Sequence, residues 1–169
     1  MTISMYNASV PVMIKMLGNL ESILDKAIAH AATRKIDDAA LVEARLFPDM
    51  FTFARQIRVA TDMSKGAGAR LAGIDIPKFE DNETTLAELK ARLRKAIDFL
   101  KTLTPAQIDG TENKAITLTV GGNTMNFNGL DYLLYWVLPN FYFHVATAYN
   151  LLRHGGVEIG KMDFLGKVQ

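Results

Sequence analysis

The chain predicts an all-α fold, a four-helix bundle with a small β-hairpin between its third and fourth helices. Three observations carry this. Apolar residues recur at spacings of three and four through three long segments, the mark of helices with one buried face. A fourth segment, Tyr132 to Leu152, has no Asp, Glu, Lys or Arg in 21 residues, as in a helix buried over most of its circumference. The period changes to two only in Ile116-Thr-Leu-Thr-Val120 and Met125-Asn-Phe127, and Gly121-Gly122-Asn123 between them is turn chemistry.

The first helix spans residues 4–34, with Val10, Met13, Leu17, Leu20, Leu24, Ile28 and Ala31 on its buried face and Pro11 near its start. His30, off that stripe, reads as a partly exposed side chain near a helix C-terminus. Asp37 or Asp38 can cap a short helix through Leu46, and Pro48 suits the first turn of a longer second helix running to about Ala72, where Gly73 stops it. Its inward positions are Phe47, Met50 or Phe51, Ala54, Ile57 and Thr61. Residues 74–82 read as an exposed connection. Thr85-Leu-Ala-Glu88 has the spacing of a capping box and opens the third helix. Leu86, Leu89, Leu93, Ile97, Leu100 and Leu103 form its seam, with Glu88, Lys90, Arg92, Arg94, Lys95, Asp98 and Lys101 on the solvated side. Thr104-Pro105 ends it or opens a short further turn. The fourth helix follows the hairpin from about Gly129 to His154, kinked at Pro139 and stopped at Gly155-Gly156. Beyond it lies a tail, Val157 to Gln169, whose Ile159, Phe164 and Leu165 can dock back.

Composition narrows the function classes. A chain of 169 residues with no low-complexity stretch reads as a single domain over 1–169. Its 19 basic and 18 acidic residues nearly balance, so there is no electrostatic ground for nucleic-acid binding. Without cysteine there is no disulfide framework, thiolate metal site or cysteine nucleophile, which fits a reducing compartment. The N-terminus lacks the basic region of a signal peptide. Tyr132 to Leu152 is long enough to span a bilayer, but Pro139, Asn140, His144, Thr147 and Asn150 run through it and its aromatics form no interfacial belts. It reads as a bundle helix, and the protein as cytoplasmic.

The functional clue lies in that helix. At spacings of three and four its seam reads Leu133, Val137, Asn140, His144, Thr147 and Leu151, apolar at both ends and polar in the middle. Asn140 and His144, four apart, share one face and can converge on a ligand, water or metal. A buried amide or imidazole without a partner costs about 1 to 3 kcal/mol, so these groups imply a hydrogen-bonded network or a ligand-lined cavity. No phosphate loop, dinucleotide fingerprint or nucleophile and base pair accompanies them.

Ala44-Arg-Leu-Phe-Pro-Asp-Met-Phe51, Lys65-Gly66, Arg70-Leu-Ala-Gly73, Leu138-Pro-Asn-Phe-Tyr-Phe-His-Val-Ala-Thr-Ala-Tyr149 and Gly160-Lys-Met-Asp-Phe-Leu-Gly166 carry a resemblance over essentially the whole chain. The sequence resembles the DinB/YfiT-like metalloenzyme superfamily, in particular a bacterial branch without an assigned function. The resemblance implies an up-down-down-up bundle, often dimeric, with a divalent metal such as zinc or nickel. In better-known members one His from helix 2 and a His-x-x-x-His pair on helix 4 hold that metal, and some are thiol-dependent transferases or isomerases. Here the helix 4 pair becomes Asn140 and His144, and helix 2 has no His. Asp49, Gln56 and Asp62 are its replacements, and spacing alone does not choose among them.

Three uses follow. In the first, a metal-dependent transferase or hydrolase has an altered site: His144, Asn140 and Asp49 as ligands, or His144 as base, Asn140 orienting substrate and Asp62 assisting. In the second, the protein binds a small molecule without metal. In the third, the polar groups are a satisfied core network and function lies in a homodimer, formed through Tyr135, Leu138, Tyr142, Val145 and Tyr149 on the outer sides of helix 4 with helix 1 beside it.

Overall fold

Caps written into the chain set where the long helices begin. In the computed structural model, which describes residues 3–167, Ser4 caps α1 (Met5–Arg34) and Asp37 caps the short α2 (Asp38–Val42). Residues 1–2 and the last two residues of the predicted tail lie outside that range. Thr52 caps α3 (Phe53–Ala72), and Thr85 with Glu88 forms the predicted capping box of α4 (Leu86–Lys101). A short α5 (Pro105–Ile108) precedes β1 (Ile116–Val120) and β2 (Asn123–Phe127). Then α6 (Gly129–Asp131), a π-helical segment (Tyr132–Val137) and α7 (Leu138–His154) run on without interruption, and α8 (Lys161–Leu165) ends the fold.

Side-chain links fix the helix directions. Glu21 pairs with Arg94, and Asp25 with Lys90 at 2.5 Å, so α1 and α4 are antiparallel. Thr61 meets Arg92 while Gly68 receives Leu100 and Leu103, so α3 and α4 are parallel. Gln56 meets His144 and Arg70 meets Tyr132, so α3 and α7 are antiparallel. The bundle therefore runs up, down, down, up. All six predicted seam leucines and isoleucines of α4 are buried. The hairpin is also as predicted, except that Asn123 pairs with Val120 inside the ladder. Gly121 and Gly122 alone make the loop, with φ of 56° and 82°, the double positive φ of a two-residue turn that matches strand twist. Ile116 and Leu118 are buried, and Phe127 packs on Tyr132 and Trp136 with ring centroids 6.0 Å away.

The structure corrects three expectations. Helix 2 begins at Phe53, not Pro48: Thr52 is the better cap, the Phe53 N–H bonds Ala44 O at 2.9 Å, and Arg45 holds Met50 O at 2.7 Å, closing residues 43–52 into a loop. Phe47, predicted inward, is 65% exposed there. Residues 74–82 are the exposed connection predicted, but the helix beside them differs from the expectation. Arg92, predicted on the wet side of its helix, is 4% exposed and pins that segment. It bonds Thr61 Oγ1, Glu80 O, Glu83 and Asp62 at 2.8 to 3.1 Å and faces Asp81 at 3.0 Å. Arg58 holds the other carboxylate oxygen and the main-chain oxygen of Glu83. The third correction concerns α7 and decides the site.

Candidate functional site

Proline has no N–H to give the preceding turn, and Pro139 occupies the second position of α7. The turn before it widens: the Leu138 N–H reaches back five residues to Leu133 O, the bond of a π-helix. A π turn holds more residues than an α turn, so every later side chain arrives at the core one position late. The most deeply buried residues of this stretch are Leu133, Val137, Phe141, Val145, Ala148 and Leu152. After Val137 each lies one residue beyond the predicted seam of Asn140, His144, Thr147 and Leu151. The predicted polar seam is thereby moved to the flank of the helix.

On that flank the polar groups separate. Asn140 is half-buried and its Nδ2 donates to Trp136 O at 2.6 Å, within its own helix. Thr147 donates to Phe143 O at 2.7 Å, likewise four residues back. His144 alone crosses to another element. The residue is 7% exposed, and its Nδ1 lies 2.6 Å from Gln56 Oε1 in the first turns of α3. Gln56 Nε2 donates to Phe51 O at 3.4 Å, which leaves the amide oxygen facing the imidazole. Nδ1 therefore carries the proton and the free lone pair is at Nε2. Burial pushes the His144 pKa below its ordinary 6.5, favouring the same neutral form.

Aromatic rings wall the imidazole. Phe51 stacks on it with centroids 6.2 Å apart and planes 7° from parallel, and Phe143 presents its edge at 5.2 Å. Arg55 covers the Phe51 ring, its guanidinium carbon 3.8 Å above the centroid. No fully buried side-chain nitrogen or oxygen among the described residues lacks a partner, so Nε2, which has none, retains access to solvent. The arrangement offers one hydrogen-bond acceptor, fixed in direction and kept unprotonated at neutral pH by burial of the ring.

The implied metal can be weighed against these residues. Catalytic zinc sites take three protein ligands and keep one position open. His144 has one nitrogen to offer. The Asn140 amide is held by Trp136 O, and Asp49 is exposed in the loop before α3. Asp62 lies on the side of α3 that faces α4, bound to Arg92 and to Lys65. Among the described residues no group of three His, Cys, Asp or Glu is placed to hold an ion. The residues do not fit the metal that the resemblance implies. Of the three helix 2 replacements it is Gln56 that meets His144. Arg55 and Phe143 were missed by the sequence reading, because an Arg in a polar stretch and a Phe in an apolar helix carry no signal of their own. His30 is half-buried against Gly156, and His154 is exposed.

Helix directions, hairpin and the α3 to α7 pairing together define a DinB-like four-helix bundle. The chain matches, over residues 5–165, the model of a family described as Domain of unknown function (DUF1993), and it belongs to that family. It is similar to the crystal structure of a DinB family member from Shewanella denitrificans, with 38% identity and a TM-score of 0.86 over 96% of this chain and 92% of that one. Among curated proteins none matches. No helix of the described residues is long and apolar enough to cross a membrane.

Proposed function

We propose that this DinB-like protein binds a small molecule without a metal, using His144 Nε2 at the surface between α3 and α7 as its polar anchor. The observation that carries the reading is the 2.6 Å bond from Nδ1 to Gln56, which orients the ring and leaves Nε2 as an acceptor. Gln56 thus occupies His144 from the helix that supplies a metal-binding His in better-known relatives. The candidate co-ligands Asn140, Asp49 and Asp62 turn to other partners or to solvent. A neutral imidazole held in this way serves as a hydrogen-bond acceptor and, for an acidic enough donor, as a general base. Two measurements on untagged protein test this. Elemental analysis is expected to find zinc and nickel far below one per chain, and nitrogen NMR to find His144 in the Nδ1–H form with or without chelator. Stoichiometric metal that His144→Gln abolishes overturns the reading.

A second reading, a structural homodimer, is favoured by one observation. Leu134, Tyr135, Tyr142 and Phe143 are all exposed on the uncharged outer face of the π segment and α7. The two readings are compatible, since Phe143 borders both features.

A further inference from the structure

Gly18 is a helical glycine without a packing reason. On α3, a Cβ at Gly68 would meet Leu103 at 2.5 Å and one at Gly66 would meet Arg70 at 2.6 Å, so both make room for a neighbour. Gly18 stands in the middle of the 30-residue α1, and beyond its chain neighbours and its own helix backbone no atom comes within 4 Å of where its Cβ would be. Its φ is not positive either. Glycine is the least favoured helix residue after proline, so here it weakens the helix without serving the core. What it does is line a groove of about 950 Å³, whose walls come from α1 and the C-terminal segment and not from α3 or α7.

Side-chain bonds set the shape of this groove. Lys26 pairs with Asp163 at 2.7 Å and Asn19 donates to Phe164 O at 2.9 Å, so the C-terminal segment runs back along α1 and brings Lys167 into the same groove as Lys15. Neither lysine has a carboxylate partner among the described residues. Asp163, which also lines the groove, is taken by Lys26 and by the Gly160 N–H. The rest is largely apolar: Ile14 lies one turn before Gly18 on the same face, and Met162 on the other wall is 65% exposed. Two ammonium groups select an anion, and the apolar walls select a hydrocarbon body. The bare backbone at Gly18 leaves room for that body to lie on the helix. We propose that the groove binds a single-chain fatty carboxylate, its headgroup between Lys15 and Lys167 and its chain over Gly18 between Ile14 and Met162.

The test is calorimetric titration of the full chain with hexanoate, octanoate and decanoate, with octanol as the uncharged control. Affinity is expected to rise about twofold or more per added methylene, and octanol to bind about fivefold more weakly than octanoate. The His144 ring resonances should not move, which keeps this site distinct from that one. Gly18→Leu is the decisive variant, because the space around it is open and the helix gains a better residue. It is expected to raise the thermal midpoint by about 2 to 4 °C while weakening decanoate at least about tenfold. Lys15→Gln with Lys167→Gln should bring octanoate down to the affinity of octanol. Native decanoate affinity in Gly18→Leu, equal binding of octanol and octanoate by the native chain, or no decanoate binding up to about 5 mM overturns the inference. So does a lower midpoint in Gly18→Leu, which would make the glycine a requirement of the fold, or a change of its mass in light scattering, which would give the groove to a second copy of the chain.

Discussion

His144 shows how one bond can decide what a residue is able to do. Imidazole is amphoteric, and which nitrogen faces the outside depends on what the inside offers. Gln56 Oε1 offers an acceptor, so the proton stays on Nδ1 and Nε2 looks outward as a base. Burial lowers the pKa of the ring, which has a consequence for stability. The unfolded chain binds a proton at His144 near the ordinary value of 6.5, while the folded chain resists it. Stability therefore falls as pH drops through that value toward the lower folded one, and is fully regained above it. Thermal midpoints between about pH 7 and pH 5 are expected to fall more steeply in the native chain than in His144→Gln, which has nothing to protonate at this position. Equal slopes would mean that the ring is as well solvated as in the unfolded chain. The importance of His144 was readable from an uncharged helix with one imidazole in it. Its partner was not, because Gln56 is 88 residues away and only three-dimensional packing chooses among Asp49, Gln56 and Asp62. Asn140 was misread for a local reason: spacing rules assume 3.6 residues per turn, and the π turn before Pro139 breaks that count.

The parallel pair α3 and α4 requires a long crossover, and residues 73–85 contain no secondary structure to hold it. Arg92 does this work from inside α4. Three carboxylates, a hydroxyl and a main-chain oxygen converge on its guanidinium, and Phe79 lies under it with Lys65 and Lys95 at the same ring. For Glu83, burial raises the pKa, but hydrogen bonds from Arg92, its own backbone and Arg58 outweigh that and hold it below 4.5. Its contribution is thus present above the ordinary carboxylate range and lost as pH falls through the lowered folded value. Removing one partner of a buried ion pair strands the other, which typically costs about 3 to 5 kcal/mol. Arg92→Met should lose about 3 kcal/mol in urea unfolding, because Asp62 and Asp81 can turn to water while Glu83 keeps only Arg58. A loss under about 1 kcal/mol would show that the crossover is held by Phe79 packing instead. The α4 seam itself was legible in its leucine spacing and capping box. The role of Arg92 was not, since a charged residue on a helix reads as solvated unless its partners, here on a separate loop, are known.

At the scale of the molecule, the helices leave one side unfinished. The tail closes part of the surface: Asn19 donates to Phe164 O, Lys26 pairs with Asp163, and Tyr149 packs edge to face on Phe164. Val145 is in the core, and Leu138 packs half-buried against it, so the outer face is smaller than the predicted set of Tyr135, Leu138, Tyr142, Val145 and Tyr149. The side of α1 carrying Asn19 and Lys26 is already taken by the segment around α8. What remains is a stripe along the π segment and α7, where Tyr135 is 73% and Phe143 56% exposed, with Leu134, Tyr142 and Leu130 beside them. No charged side chain interrupts it from Tyr132 to Leu152. Soluble monomers seldom leave apolar patches above about 300 to 600 Å² uncovered. A stripe running along one helix suits a two-fold contact, in which the same residues meet across the axis, and Tyr and Phe are the side chains such contacts favour. A homodimer of twice the 18.7 kDa chain mass is therefore expected by light scattering at micromolar concentration. Tyr135→Glu should release monomer, since two carboxylates would be buried near the axis without partners, at a cost of several kcal/mol. A native chain that stays at monomer mass through the high micromolar range would mean that the stripe is tolerated bare, and the structural reading of this protein would go with it.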